Sequence, residues 1–216
     1  MKGLVLKDWY SVVNNGRGLL IMMAILSLVL TQQDGLLSLI LIGTIICSMM
    51  STTSFSIDHQ TNWNRFAFTL PVSKRAIVQS KFVSLILFTL LGIGLSFLFG
   101  CVMMFITGKG VVIAEVTLLE YFNFTVLAFV ASLFLGTNMI VLSLKYGAEQ
   151  ARMYLIASYL VPIGLIWLLV TQVPLISTWI NTLDMIDVIL ISLITSIIWS
   201  IAGYFVSLNI MNKKEY

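Results

Sequence analysis

The stretch 82-FVSLILFTLLGIGLSFLFGCVMMFIT-107 decides the fold class, because it is long, apolar and free of charged side chains. A helix needs about 20 such residues to cross the roughly 30 Å of hydrocarbon in a bilayer. The rest of the 216-residue chain has the same character, with 59% apolar residues, 10% charged residues and a mean hydropathy of +1.04. Soluble domains are about 25% charged. The bilayer therefore has to be the solvent of this chain.

Five further apolar segments accompany this one, and together they predict six membrane spans. The predicted spans cover about 18–33, 36–57, 82–107, 119–144, 153–173 and 188–211. The segments are continuously apolar and lack the period-two alternation of barrel strands, so they indicate helices. The first span is short and needs Arg17 to snorkel to the interface. We predict an all-α integral membrane protein with one transmembrane domain over residues 1–216.

The distribution of charge predicts the topology. If the N-terminus is cytoplasmic, eleven of the twelve basic residues lie inside, and Lys109 alone lies outside. The inner set comprises Lys2, Lys7, Arg17, Arg65, Lys74, Arg75, Lys81, Lys145, Arg152, Lys213 and Lys214. The outer loops hold mainly acidic residues, among them Asp184 and Asp187. By the positive-inside rule, both termini are cytoplasmic.

The N-terminal segment 1–17 is too polar to cross the membrane. We predict a helix lying on the cytoplasmic leaflet, with Lys7, Trp9 and Tyr10 at headgroup depth. Its apolar residues can share one broad face, and these are Leu4, Leu6, Trp9, Val12 and Val13. The alternative is an ordinary anchoring flank of the first span.

Several spans carry small residues at intervals of four, of which Gly92, Ser96 and Gly100 are the main example. Small residues at this spacing let helices approach closely, because lipid provides no hydrophobic drive for helix association. The pattern fits helix packing within one subunit or an interface between subunits.

The chain lacks the residue patterns of catalysis. No ionisable residue lies at the middle of a predicted span, which counts against a proton-driven carrier. The sequence has no P-loop, and His59 is its only histidine, with no second metal ligand nearby. We therefore predict no catalytic, cofactor-binding or metal-binding residues, no enzymatic activity and no nucleic-acid partner.

The one long polar passage, residues 58–81, joins the second and third predicted spans and is named the coupling loop below. It carries Trp63, Arg65 and Phe66, a composition typical of the centre of a protein interface. An amphipathic helix resting on anionic lipid has the same composition, so the residues alone leave both readings open.

Capping signals divide this passage into two helices. Asp58 or Thr61 can cap a short helix that carries the aromatic residues. The Leu70–Pro71 pair ends it, because proline disfavours helical backbone in the residue before it. Ser73 can then cap a helix that continues into the third span.

Two sequence patterns resemble the permease subunits of type-2 ABC exporters, particularly short bacterial six-span permeases. The first is L-x-L-K-D-W at Leu4–Trp9. The second is F-S-x-D…W-x-R-F…L-P-V-S-K-R-x-I-V-x-S-K within Phe55–Lys81. The permeases of phenol-soluble modulin exporters and of peptide-antibiotic exporters are similar. His59 departs from the family pattern, which often has an acidic residue after the aspartate.

The resemblance implies that the coupling loop forms a coupling helix seated in a groove of a separate ABC ATP-binding subunit. The implied contacts with that subunit are Asn62, Trp63, Arg65, Phe66, Leu70 and Pro71. It also implies two ATP-binding subunits, which hold the ATP and Mg, and a second permease, identical or paralogous, in the bacterial plasma membrane. The implied function is export of a hydrophobic or amphipathic solute, such as a peptide, toxin or antibiotic, by alternating access.

Two other functions fit the same apolar chain. One is a non-transporting membrane sensor or assembly protein, and the other is an ATP-independent channel or carrier. The outer segment before the sixth span, residues 172–187, is apolar for a connector. The family places short helices over the exit at this point, so the resemblance implies that Trp179 lines an outer gate. A plain interfacial anchor is the alternative for Trp179.

Overall fold

The computed structural model describes residues 2–14, 16–33, 36–61, 63, 73–107, 118–147, 150–151, 153–154, 156–157 and 185–213. Within these residues the chain forms helices and no strand. The main helices are α1 (Lys2–Asn14), α2 (Gly16–Gln33), α3 (Leu36–Ser48), α4 (Met50–Gln60), α5 (Lys74–Thr107), α6 (Leu118–Tyr146) and α7 (Met185–Lys213). The prediction of an all-helical protein is confirmed for this part of the chain.

Among the described residues, four candidate membrane spans are long and apolar enough to cross a bilayer. They are Leu36–Asp58, Lys74–Met103, Leu119–Tyr146 and Ile186–Lys213, and each overlaps a predicted span. A fifth candidate arises if α1 and α2, which are bent by 59° at their junction, are taken as one span. The predicted span at 153–173 lies largely outside the described residues.

Helix α5 lies at the centre of the fold and contacts every other main helix. Its inner residues, among them Val78 and Leu85, pack with Ile140 of α6 and Met211 of α7 in the largest buried cluster. Helices α6 and α7 are also joined by polar pairs. The indole Nε1 of Trp199 donates to Asn138 Oδ1 over 3.0 Å.

The second predicted span is divided into α3 and α4 by a turn at Met49. Side-chain hydroxyls lie on both sides of this turn, where Ser48 donates to the carbonyl of Ile45 and Ser51 donates to the carbonyl of Ser48. Hydroxyls that bond backbone carbonyls in this way compete with the helix ladder and bend it. The Thr52 amide correspondingly bonds the carbonyl of Met49, only three residues earlier.

Helix caps were predicted near both ends of the coupling loop, at Asp58 or Thr61 and at Ser73. The Ala76 amide donates to Ser73 Oγ over 3.2 Å, so the predicted cap at the start of α5 is confirmed. The start of the predicted short helix lies outside the described residues, so its cap stays a prediction. Asp58 lies within α4 and is buried, and the Thr61 hydroxyl donates to the carbonyl of Ile57. The carboxylate of Asp58 is used elsewhere, as described below.

Helices α3 and α5 approach closely at the predicted small-residue positions. A Cβ built on Gly92 would lie 2.6 Å from the Cβ of Cys47, and one on Gly100 would lie 2.7 Å from a methyl carbon of Leu36. Ser96, between them, is fully buried. Gly94, on another side of α5, faces open space. These close contacts all lie within one chain, and the effect of enlarging either glycine stays a prediction.

Candidate functional site

Four charged residues from three helices meet in a buried group, named here the charged cluster. Its members are Lys7 and Asp8 of α1, Asp58 of α4 and Lys81 of α5. Two ammonium groups face two carboxylates, so the cluster is neutral as a whole. Buried charges persist in proteins when they are paired in this way.

Lys81 holds the centre of the charged cluster. Its Nζ donates to Asp8 Oδ1 over 2.8 Å, to Asp58 Oδ2 over 2.6 Å and to Ser54 Oγ over 2.7 Å. An ammonium group has three donors, so these bonds use its full capacity. The side chain is only 6% exposed, and the ring centroid of Phe55 lies 4.7 Å from Nζ on another side. One cation therefore joins α1, α4 and α5.

Asp8 is fully buried and accepts several hydrogen bonds. Besides Lys81, Ser54 Oγ donates to its Oδ1 over 2.7 Å and Ser84 Oγ donates to its Oδ2 over 3.2 Å. Burial alone would raise the pKa of Asp8, but the charges of Lys81 and Lys7 and the bonds from Lys81 and Ser54 outweigh it and lower the pKa below 3.8. Asp8 is therefore ionised at neutral pH, and the cluster is a fixed ion-pair network.

Lys7 connects the charged cluster to the beginning of the coupling loop. Its Nζ donates to Asp58 Oδ1 and lies 3.4 Å from Asp8 Oδ1. The same ammonium lies 4.5 Å from the ring centroid of Trp63, a cation–π contact. Trp63 also packs against the large buried cluster around Val78. The Trp63 indole therefore makes contacts within the permease itself.

The predicted N-terminal helix is present as α1, and its position on the cytoplasmic leaflet stays a prediction. Leu6 and Val13, two residues of its predicted apolar face, are exposed on the surface of the fold. Asp8 and Val12 instead turn inward against the other helices. The reason is Lys81, since an acceptor for its ammonium is worth more inside than another apolar contact.

The remaining predicted site residues are placed as follows. Trp9 stacks on Phe88 of α5 with ring centroids 6.3 Å apart, and Tyr10 is exposed. Asn62, Arg65, Phe66, Leu70, Pro71 and Trp179 lie outside the described residues. Within the described ranges, no group of three or more His, Cys, Asp or Glu side chains is arranged to hold a metal ion.

The charged cluster was not predicted, although the sequence contains two signals for it. Ser54 and Asp58 are four residues apart, and residues at this spacing project from the same side of a helix. Lys81 and Ser84 likewise share a face of α5. No pattern in the sequence indicates that α1 folds back and brings Asp8 into contact with Ser54 of α4 and with Lys81 and Ser84 of α5.

The apolar helices define a multi-pass α-helical membrane protein. A family model described as an ABC-2 family transporter protein matches residues 3–212, which is nearly the whole chain. The chain therefore belongs to the ABC-2 transporter family and is a permease component of an ABC transporter, a membrane component whose partner is a separate ABC ATP-binding subunit. No match was found among curated proteins or among solved structures.

Proposed function

We propose that this permease belongs to an ATP-driven exporter and moves a hydrophobic or amphipathic solute outward by alternating access. The cargo class is a peptide, toxin or antibiotic, as for the phenol-soluble modulin and peptide-antibiotic exporters that the sequence resembles. The family match supports transport coupled to a separate ATPase. The apolar, uncharged middle of the candidate spans supports a cargo that tolerates an apolar path.

The observation that carries the proposal is the position of the charged cluster at both ends of the coupling loop. Asp58 lies in the last turns of α4, where the chain enters the loop, and Lys81 lies in the first turns of α5, after it leaves. Their ion pair closes the base of the loop, and Asp8 adds α1 to the same pair. A displacement of the loop is therefore passed to α1, α4 and α5 together.

The contacts of Trp63 suggest a division of roles within the proposed coupling helix. Trp63 anchors the helix to the permease through Lys7 and the buried cluster. Phe66 enters the groove of the ATP-binding subunit, and Arg65 makes a charged contact at its rim, with Asn62, Leu70 and Pro71 completing the contact. Nucleotide-driven closure of the ATPase then moves the loop, and the charged cluster transmits the movement.

The full transporter in this proposal contains two copies of the ATP-binding subunit, which bind ATP and Mg, and a second permease that is identical or paralogous. It lies in the bacterial plasma membrane with both termini of this chain in the cytoplasm. Its six spans include one over 153–173, and Trp179 lines an outer gate. Charge at the helix ends supports this orientation. The first turns of α6 and α7 carry Glu120 and Asp187, and their last turns carry Lys145 and Lys213.

Co-purification of the ATP-binding subunit in detergent tests the proposal, because no bilayer then remains for aromatic side chains to rest on. Aromatic anchors at interfaces commonly cost about 2 kcal/mol or more when truncated, which corresponds to a loss of roughly thirtyfold in affinity. We expect Trp63→Ala combined with Phe66→Ala to leave membrane insertion intact and to reduce ATPase recovery by about that factor. Phe205→Ala, an exposed aromatic on α7, is the matched control.

The single variants separate the proposed roles. Phe66→Ala should weaken binding of the ATPase without changing the thermal stability of the isolated permease. Trp63→Ala should lower that stability, because the indole packs against the permease itself. Full recovery of the ATPase with the double variant would contradict the coupling-helix assignment, and would favour a loop that rests on lipid.

A further inference from the structure

A pocket of about 290 Å³ lies between α1, α2 and the middle of α5, and it is named here the α1–α2 pocket. Its walls are almost wholly apolar. Trp9 and Phe88, whose rings stack, line one part of it, and Leu95 lines another. Seven residues of helix span about 10 Å. The α5 wall of the pocket, from Phe88 to Leu95, is therefore an elongated surface. The volume lies just below the range for small-molecule sites, which begins near 300 Å³, so the pocket can take a single chain of a larger ligand.

Among the described residues that line the pocket, Arg17 is the one with a charged side chain. It lies next to the bend between α1 and α2, and its side chain is exposed. Among the described residues, every ion pair belongs to the charged cluster, and none involves Arg17. Its guanidinium is permanently charged and presents a planar fork of donors that matches a phosphate or carboxylate. A cation without a described carboxylate partner therefore borders an apolar slot.

We propose that the α1–α2 pocket binds one phospholipid of the surrounding bilayer, with an acyl chain along Leu95 and Phe88 and the phosphate on Arg17. The bilayer provides chains and phosphates at high local concentration to any groove that opens on it. A lipid with net negative charge is preferred, because the ammonium of a zwitterionic headgroup competes with Arg17 for the phosphate. Since α1 and α2 both line the pocket, the bound lipid holds α1 against α5.

This inference rests on the membrane location of the protein and on described residues, and it is independent of cargo, direction and the ATPase. The test uses the full chain, stripped of native lipid in detergent and titrated with phosphatidylglycerol or phosphatidylcholine while the thermal midpoint is recorded. We expect phosphatidylglycerol to raise the midpoint at the lower concentration. Arg17→Gln should weaken that preference by about tenfold, as expected for loss of a charge-assisted hydrogen bond. Arg75→Gln, an exposed arginine in the first turn of α5, should leave the preference unchanged.

A second variant and a second measurement locate the site. Leu20 lines the pocket and is 47% exposed, so Leu20→Trp fills the slot with little cost to folding and should weaken both lipids without changing charge. Phosphatidylglycerol with a photoreactive acyl chain should label α1, α2 or the 88–95 part of α5, and Leu20→Trp should abolish the labelling. Equal affinity for the two lipids, an unchanged preference in Arg17→Gln, or labelling confined to α7 would each overturn the proposal. The proposal would also be overturned if labelling decreased as the protein concentration is raised, because a second copy of the chain would then occupy the pocket.

Discussion

At the scale of single residues, Lys81 determines whether the charged cluster is balanced. Lys81→Met removes the ammonium that joins Asp8, Asp58 and Ser54, and leaves two buried carboxylates with Lys7 as their only ammonium partner among the described residues. Removing one partner of a buried ion pair typically costs about 3–5 kcal/mol. We expect a large fall in the thermal midpoint of the purified permease, measured by the unfolding of α-helix on heating.

Two controls isolate the effect of charge in the Lys81 experiment. Lys213→Met removes an exposed lysine from the last turn of α7 and should have little effect. Asp8→Asn combined with Lys81→Met removes one charge of each sign, so the remaining Lys7–Asp58 pair stays balanced and part of the stability should return. If Lys81→Met alone were no less stable than Lys213→Met, Lys81 would not hold the three helices together.

The lowered pKa of Asp8 predicts a specific dependence of stability on pH. A carboxyl whose pKa is lower in the folded state contributes stability that is fully present above its unfolded pKa, about 3.9, and is lost as pH falls through the folded value. The difference in thermal midpoint between wild type and Asp8→Asn should therefore be constant from about pH 8 to about pH 5 and shrink below about pH 4. A difference that grew as pH fell would show that Asp8 is not ionised in the fold.

At the scale of helices, the close approach of α3 and α5 depends on residues without a side chain. Gly92→Leu places a branched side chain where Cys47 and the backbone of Thr44 already lie, and Gly100→Leu does the same against Leu36. Overpacking of this kind typically costs about 1–3 kcal/mol, and more where backbone must move. We expect both variants to lower the yield of folded protein in detergent, measured by size-exclusion chromatography.

Gly94 provides a matched control on the same helix. A Cβ at Gly94 meets nothing within 4 Å, so Gly94→Leu should behave like the wild type. Ser96→Gly should also be tolerated, because glycine preserves the close approach. Normal yields of both Gly92→Leu and Gly100→Leu would show that the small residues do not set the distance between these helices.

The elements show where sequence reasoning succeeds. The apolar runs located α5, α6 and α7, because a span has to be apolar along its whole length whatever its neighbours are. The start of α5 was predictable from Ser73, because a cap is a local interaction. The arrangement of α1 was not predictable in the same way. Asp8 faces inward because it binds Lys81, which is 73 residues away in the chain. The spacing of residues within α1 contains no information about so distant a partner.

At the scale of the whole molecule, the charged cluster and the α1–α2 pocket act on the same helix. The cluster fixes α1 near Asp8 to the helices that flank the coupling loop, and the pocket lies beside its next turns, at Trp9 and Val12. Movement of the coupling loop in the proposed mechanism therefore reaches the part of the protein that borders the bilayer. The sequence identified the loop and α1 as separate features, but their connection depends on the tertiary contact between Asp8 and Lys81.

The topology of the whole chain is the remaining prediction, and it follows from the concentration of eleven of the twelve basic residues on one side. Its test places single cysteines in a variant without the native thiols Cys47 and Cys101, so that each label reports one position only.

Lys109→Cys and Asp184→Cys should react with an impermeant maleimide in intact cells, because both positions are predicted to lie outside. Lys74→Cys should react only after the membrane is permeabilised. Lys74 is a suitable inner position, since it begins α5 within the coupling loop and is partly exposed. Labelling of Lys74→Cys in intact cells, with protection of the other two positions, would show that the topology is the reverse of the predicted one. The charged cluster would then lie at the outer face, where no ATP-binding subunit can reach the loop.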